Sequence, residues 1–379
     1  MKTWIVASLA AVTLIAAIWA QDGPAPSGSE TVAPRKKANS TAAPAATDSD
    51  QTTIPSKLSP KATKDQTPDS DVNFTSEANI VNVDVAVLDN KNNFIPNIPK
   101  EKFRILEDNV PQTVTQYAMG EAPMTVAMLI EFSARYQAFY SSGWRETLTA
   151  SYGFVQTLKP QDYLAIIAYD MRSTILSDFT NDRQQTMEAM SRLRIPGFSE
   201  SNMFDALSDT AERMQKIEGR KAILLIASGL DTFSKLTFDK ARKSLQEKGV
   251  PVYSIEMLQI ERMMADASGR MGAVQNLDFL QGDNELRTFA KDTGGQAFFP
   301  RFTGELPSVF QAISQSMRNQ YSLGYAPSNT AKDGKFRKLT IQLVNPGTNE
   351  PLRIVDEKGK PIKYTIVAKA GYTAPRTVE

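Results

Sequence analysis

Thr125-Val126-Ala127-Met128-Leu129-Ile130-Glu131-Phe132 is an apolar run interrupted only by one acid near its end. Its hydrophobic residues are consecutive rather than alternate, as in a strand covered on both faces, and such strands belong to parallel sheets flanked by helices. More runs of the same kind follow at 163–169, at 222–227, the most apolar in the chain, and at 251–256 and 297–299. Between them the pattern predicts helices over 146–158, 182–193, 202–218, 237–248, 284–292 and 306–319, with Asn181 and Ser201 as caps. Gly249 and the pair Gly294-Gly295 stop two of these helices. Residues 171–179 read as a neighbouring antiparallel strand. Alternation of strand and helix makes residues 123–319 a doubly wound, mostly parallel α/β sheet, a fold that places ligands at the carboxyl ends of its strands.

The chain on either side changes period. Val81, Val83, Val85 and Val87 alternate with Asn82, Asp84 and Ala86, the signature of a half-buried strand. Further short strands around Phe103 and Val114 complete a segment at 78–122. At the far end, 320–375, Leu339, Ile341 and Leu343 alternate with Lys338, Thr340 and Gln342. Each set alone is too small to bury a core. The two are expected to pair into one small antiparallel β-sandwich from which the α/β domain emerges; the alternative is two unrelated β appendages.

The remaining N-terminal residues carry no core. Lys2 precedes an uncharged run from Trp4 to Ala20, the layout of a secretory signal peptide over 1–20, with an uncleaved membrane anchor as the other reading. A spanning helix needs roughly 20 apolar residues, slightly more than this run offers. Residues 21–77 are a Pro/Ala/Ser/Thr linker holding seven of the 21 prolines, too polar to offset their ordering entropy. They read as a tether or as a tolerated low-complexity leader. In both N-terminal readings the body is exported to the periplasm, cell surface or exterior.

Composition narrows the chemistry. With 43 Lys+Arg against 42 Asp+Glu the net charge is +1, so nucleic acid is not an expected partner, and a membrane contact is expected only through an uncleaved leader. The chain has no histidine and no cysteine, which removes imidazole bases, thiolate nucleophiles, His- or Cys-built metal sites and disulfides. Ser228-Gly229 lacks the flanking pattern of a nucleophile turn and has no His to activate it, and nothing in the spacing brings Ser133 to Lys235. No phosphate loop, repeat or heptad is present. A non-enzymatic protein is expected.

The strand Met124 to Ser133, the loop Ser201-Asn202-Met203-Phe204-Asp205, the strand 222–228 with Gly229, and the endings Tyr321-Ser322-Leu323-Gly324-Tyr325, Asp333-Gly334-Lys335-Phe336-Arg337-Lys338 and Lys369-Ala370-Gly371-Tyr372 together resemble von Willebrand factor type A proteins, and in particular a bacterial group of exported relatives. The resemblance implies an adhesion site in which oxygens hold Mg²⁺ or Mn²⁺. On this sequence the implied positions are Glu131, Ser133, Arg135, Ser201 and Ser228, with Asp231 and Trp144 as auxiliaries. Arg135 puts a cation where the ion wants an oxygen, and Ser228 removes one anionic group. No cofactor is therefore expected; a divalent ion, where held, would use Glu131, Ser133 and Ser201. Three readings of the loop stand: an ion, a Glu131–Arg135 pair replacing it, or a solvated Glu131 with no role. The function expected is recognition of a protein partner or envelope component through these loops, or else an envelope scaffold with no ligand there. The methionine-bearing stretch 257–281 reads as a partner surface or as a packed excursion.

Overall fold

A computed structural model describes residues 80–134, 143–193, 198–269, 272–356 and 358–376. The expectations for residues 1–77 lie outside them. The deciding run is strand β5 (Met124–Glu131), buried at all eight positions. Around it lie β6 (Tyr163–Tyr169), β7 (Ser173–Thr180), β8 (Arg220–Ala227), β9 (Val252–Glu256) and β10 (Ala297–Phe298), in the order β10-β9-β8-β5-β6-β7. All neighbours are parallel except β6 and β7, which are antiparallel. The chain fills one flank of β5 and then returns to fill the other. The strand order therefore reverses at β5, and its carboxyl end is the switch point where such sheets form a crevice.

Consecutive residues of β5 serve opposite cores. Val126, Met128 and Ile130 pack with residues of α1 (Gly143–Thr157), α2 (Arg183–Ser191) and α7 (Leu306–Arg318). Ala127 and Leu129 pack with α3 (Met203–Gln215), α4 (Phe238–Lys248) and α6 (Ala273–Thr293). Burial on both faces is what the unbroken apolar run encodes.

The flanking strands form two four-stranded antiparallel sheets. One is β15-β1-β11-β4, built from Tyr364–Ala368, Val81–Asp89, Asn319–Tyr325 and Val114–Glu121. The other is β16-β12-β2-β3, built from Gly371–Thr373, Phe336–Leu343, Phe103–Glu107 and Val110–Gln112. Each sheet mixes strands from both ends of the chain, and Val83, Val85, Ile105, Tyr321, Leu323 and Leu339 share one core. A separate two-stranded hairpin joins β13 (Ile354–Val355) to β14 (Pro361–Ile362).

Several local expectations need correction. Asp182, not Asn181, caps α2, its carboxylate accepting from the backbone N–H of Gln184 and Gln185. Ser201 does not cap α3; Asn202 holds that position without a side-chain bond. The stretch 257–281 is two helices, α5 (Gln259–Ala267) and the first half of α6, which continues through Gly282 where the sequence suggested a start at 284. Met257 is buried while Met263 and Met264 are exposed, and Met271 lies outside the described residues.

Candidate functional site

Glu131 ends β5 at the switch point, yet only 2% of its surface is exposed. A solvated strand-end carboxylate is thereby excluded. Ser228, the first residue after β8, donates both its backbone N–H and its hydroxyl to Glu131 Oε2, each at 2.7 Å. Ser133 donates its hydroxyl to Glu131 Oε1 at 3.0 Å. Gly229 takes a left-handed φ of 83°, which turns the chain so that Leu230 N–H reaches back to Ser228 Oγ at 3.1 Å. Burial pushes the Glu131 carboxyl above the usual carboxylate range, further than these hydrogen bonds pull it down, and Asp231 adds to the rise.

Ser201 belongs to the same edge. Its N–H donates to Thr232 Oγ1 at 3.0 Å, and its carbonyl accepts from Thr232 N–H and Phe233 N–H at 2.8 and 2.9 Å. The loop before α3 is thus stitched to the loop after β8. The Ser201 hydroxyl is buried without a hydrogen-bond partner among the described residues. Asp231 faces α3 instead: it accepts from Phe204 N–H at 3.0 Å, Ser234 Oγ at 2.5 Å and Ser234 N–H at 3.2 Å. It supplies the cap expected of Ser201. Arg135 and the side chain of Trp144 lie outside the described residues, so the Glu131–Arg135 pair does too.

The sequence reading missed two aromatics. Phe198 and Phe233 are 42% and 50% exposed, Phe198 with its carbonyl accepting from Ala134 N–H and Phe233 bonded to Ser201. Arg172 stacks 5.8 Å from the Phe198 ring. Each is a lone aromatic among small polar residues, Ser199 beside one and Thr232 and Ser234 beside the other, and that isolation is the available signal.

The donors as placed do not fit a hard divalent ion. Both Glu131 oxygens are taken by hydrogen bonds, burial favours its neutral form, and the Asp231 carboxylate is committed to α3. No group of three acidic ligands converges among the described residues.

Strand order and connections describe a doubly wound α/β sheet carrying flanking antiparallel sheets. Solved structures similar to it include the vWF domain of the type V pili tip protein Mfa5 from Porphyromonas gingivalis, at 14% identity over 52% of this chain and 95% of that one, with a TM-score of 0.40. An aerotolerance-related membrane protein from Bacteroides fragilis is similar at 16% identity over 51% of this chain and 98% of that one, with a TM-score of 0.39. Proximal thread matrix protein 1 from the mussel byssus shares 11% identity over 56% of this chain, with a TM-score of 0.40, and the match spans 50% of its length. No family model and no curated protein matches the chain.

Proposed function

We propose that this chain is a non-enzymatic, exported binding protein that recognises a protein or envelope component through the loops at the carboxyl edge of its six-stranded sheet. The observation that carries the reading is the pair Phe198 and Phe233, both exposed and both tied by backbone hydrogen bonds to the loops around Ser133 and Ser201. Aromatics held on ordered backbone supply contact area with little entropy left to lose. Glu131, Ser133 and Ser228 act behind them as a metal-free latch that fixes the loops, and Ser201, its hydroxyl buried and unpartnered among the described residues, holds Phe233 through its carbonyl. Arg135, Asp231 and Trp144 are assigned supporting roles at the same edge. The test is crosslinking in envelope extracts with the full chain. A partner captured by the wild type should be lost on Phe198→Ser with Phe233→Ser and kept in the presence of a chelator. Loss with chelator alone would restore a metal-dependent adhesion mode.

A second reading has its own support. The closed latch leaves Glu131 no free acceptor at the surface, which suits a rigid envelope scaffold with no ligand at that edge. Capture indifferent to the two phenylalanines would favour it.

A further inference from the structure

The opposite edge of the α/β sheet holds a cleft that the recognition reading does not use. Arg220 and Lys221 at the start of β8, Tyr253, Gly294 at the end of α6, Asp84 on β1 and Lys369 just past β15 line it. Three cationic residues and one carboxylate thus line it, and Asp84 acts on Arg220 and Lys369. None of Arg220, Lys221 and Lys369 forms an ion pair with a carboxylate among the described residues. Arg220 spends its guanidinium on the carbonyls of Gly120, Arg318 and Gln320, and Lys221 its ammonium on those of Gln215 and Ile217. Asp84, the one acid, accepts the Ser322 hydroxyl at 2.6 Å. Among the described residues Lys369, which lines the cleft, has neither a carbonyl nor a carboxylate hydrogen-bond partner.

Its backbone is fixed. Ala370 N–H donates to Asp292 O at 3.0 Å, and a Cβ on Gly294 would stand 2.5 Å from Lys369 N, so the end of α6 sits directly on this turn. Lys369 is half-buried along the cleft, and burial pulls its pKa below the usual lysine range despite Asp84. Excess positive charge between low-dielectric walls, with one donor-rich group left unpaired, is a receptor for negative charge.

We infer that the cleft between β8, β1 and β15 binds a small oxyanion, a carboxylate or a phosphate group, with Lys369 as its direct donor and Arg220 and Lys221 as its electrostatic backing. Titration calorimetry of the full chain with inorganic phosphate and, separately, succinate tests this. Binding of either should weaken about tenfold or more in Lys369→Gln, the loss expected for one charge-assisted hydrogen bond, and stay unchanged in Lys91→Gln, an exposed lysine. Phosphate binding alone would assign a phosphoryl ligand, and succinate binding alone a carboxylate. Should Lys369→Gln not fold, acetylation of wild-type lysines followed by mass spectrometry gives the second readout: Lys369 should be selectively protected by the anion. No binding, binding equal in both variants, or acetylation of Lys369 indifferent to the anion would overturn the site.

Discussion

Ser228 gives Glu131 Oε2 two hydrogen bonds from one residue, backbone N–H and side-chain hydroxyl, both 2.7 Å long. The tip of β8 is thereby clamped to the tip of β5 across the switch point, and Ser133 closes the third side. Glu131→Ala would remove the acceptor that two hydroxyls and an N–H share, at about 1–3 kcal/mol for each group that finds no substitute. A loss of about 2–4 kcal/mol in chemical denaturation is expected. Mg²⁺, Mn²⁺ and chelator should leave the wild-type melting temperature unmoved, and saturable stabilisation by either ion in calorimetry would refute the latch.

Glu256, at the tip of β9, predicts the pH dependence. It is fully buried, with Oε1 accepting from Leu258 N–H at 2.8 Å and Oε2 unpartnered among the described residues. Burial first and Asp283 second push its pKa from 4.5 to about 8, against the pull of Arg262, Gln259 and Leu258. A carboxyl raised in the folded state makes that state the better proton binder, so its contribution to stability is whole below the unfolded value and lost as pH rises through the folded one. Stability should fall between about pH 4.5 and pH 8, and Glu131, shifted the same way, adds to the fall. Glu256→Gln, which copies the neutral form, should flatten thermal melts collected across that range and raise the melting temperature at pH 8. An unchanged slope would count against the assignment.

A third prediction explains the ending Tyr-Ser-Leu-Gly-Tyr. Tyr325 on β11 and Tyr372 on β16 both donate to Glu107 Oε2 on β2, at 2.6 and 3.0 Å. One buried carboxylate thus ties strands of the two antiparallel sheets. Burial and Glu107 raise the Tyr325 hydroxyl above its usual range and push Tyr372 up to about 12. Tyr325→Phe removes one donor from a carboxylate that is 2% exposed and should cost about 1–3 kcal/mol. Tyr372→Phe, with the longer bond, should cost less. Equal melting temperatures for wild type and both variants would show the clasp to be idle.

These elements were not equally legible in the sequence. The β5 run declares itself because both faces of that strand are buried, and the valine alternation of β1 because its first half buries one face only; from Val85 to Leu88 both faces are covered, and Ala86, read as outward, is buried. Pairing of β1 with β11 joins residues more than two hundred positions apart, and only the inability of either terminal segment to bury a core points to it. Glu131 and Ser228 were candidates by resemblance, but their bond depends on how the β8 turn folds back, which no local pattern records. The first half of α6 escaped because Val274, Leu277 and Leu280 face outward while its buried face carries only one large apolar residue, Phe279, and because Gly282 looks like a stop.

Gly282 supplies the last prediction. Alanine inside a helix is ordinarily preferred over glycine by about 0.5–1 kcal/mol. A Cβ on Gly282, however, would stand 2.6 Å from Gly229 O and 2.9 Å from Gly229 C, backbone atoms of the turn that follows Ser228. Neither partner is a flexible side chain, so either α6 or the Ser228 turn must shift. Leu286, one helical turn on, already lies 3.1 Å from where a Cβ on Gly229 would be. Gly282→Ala should therefore destabilise the protein despite its helical preference, by about 1–3 kcal/mol as overpacking does. Because the strain falls on the turn that feeds the Glu131 latch, amide exchange at Ser228 and Leu230 should quicken more than exchange in β9. A stabilising Gly282→Ala would mean that α6 stands off the turn and that the latch is held without it.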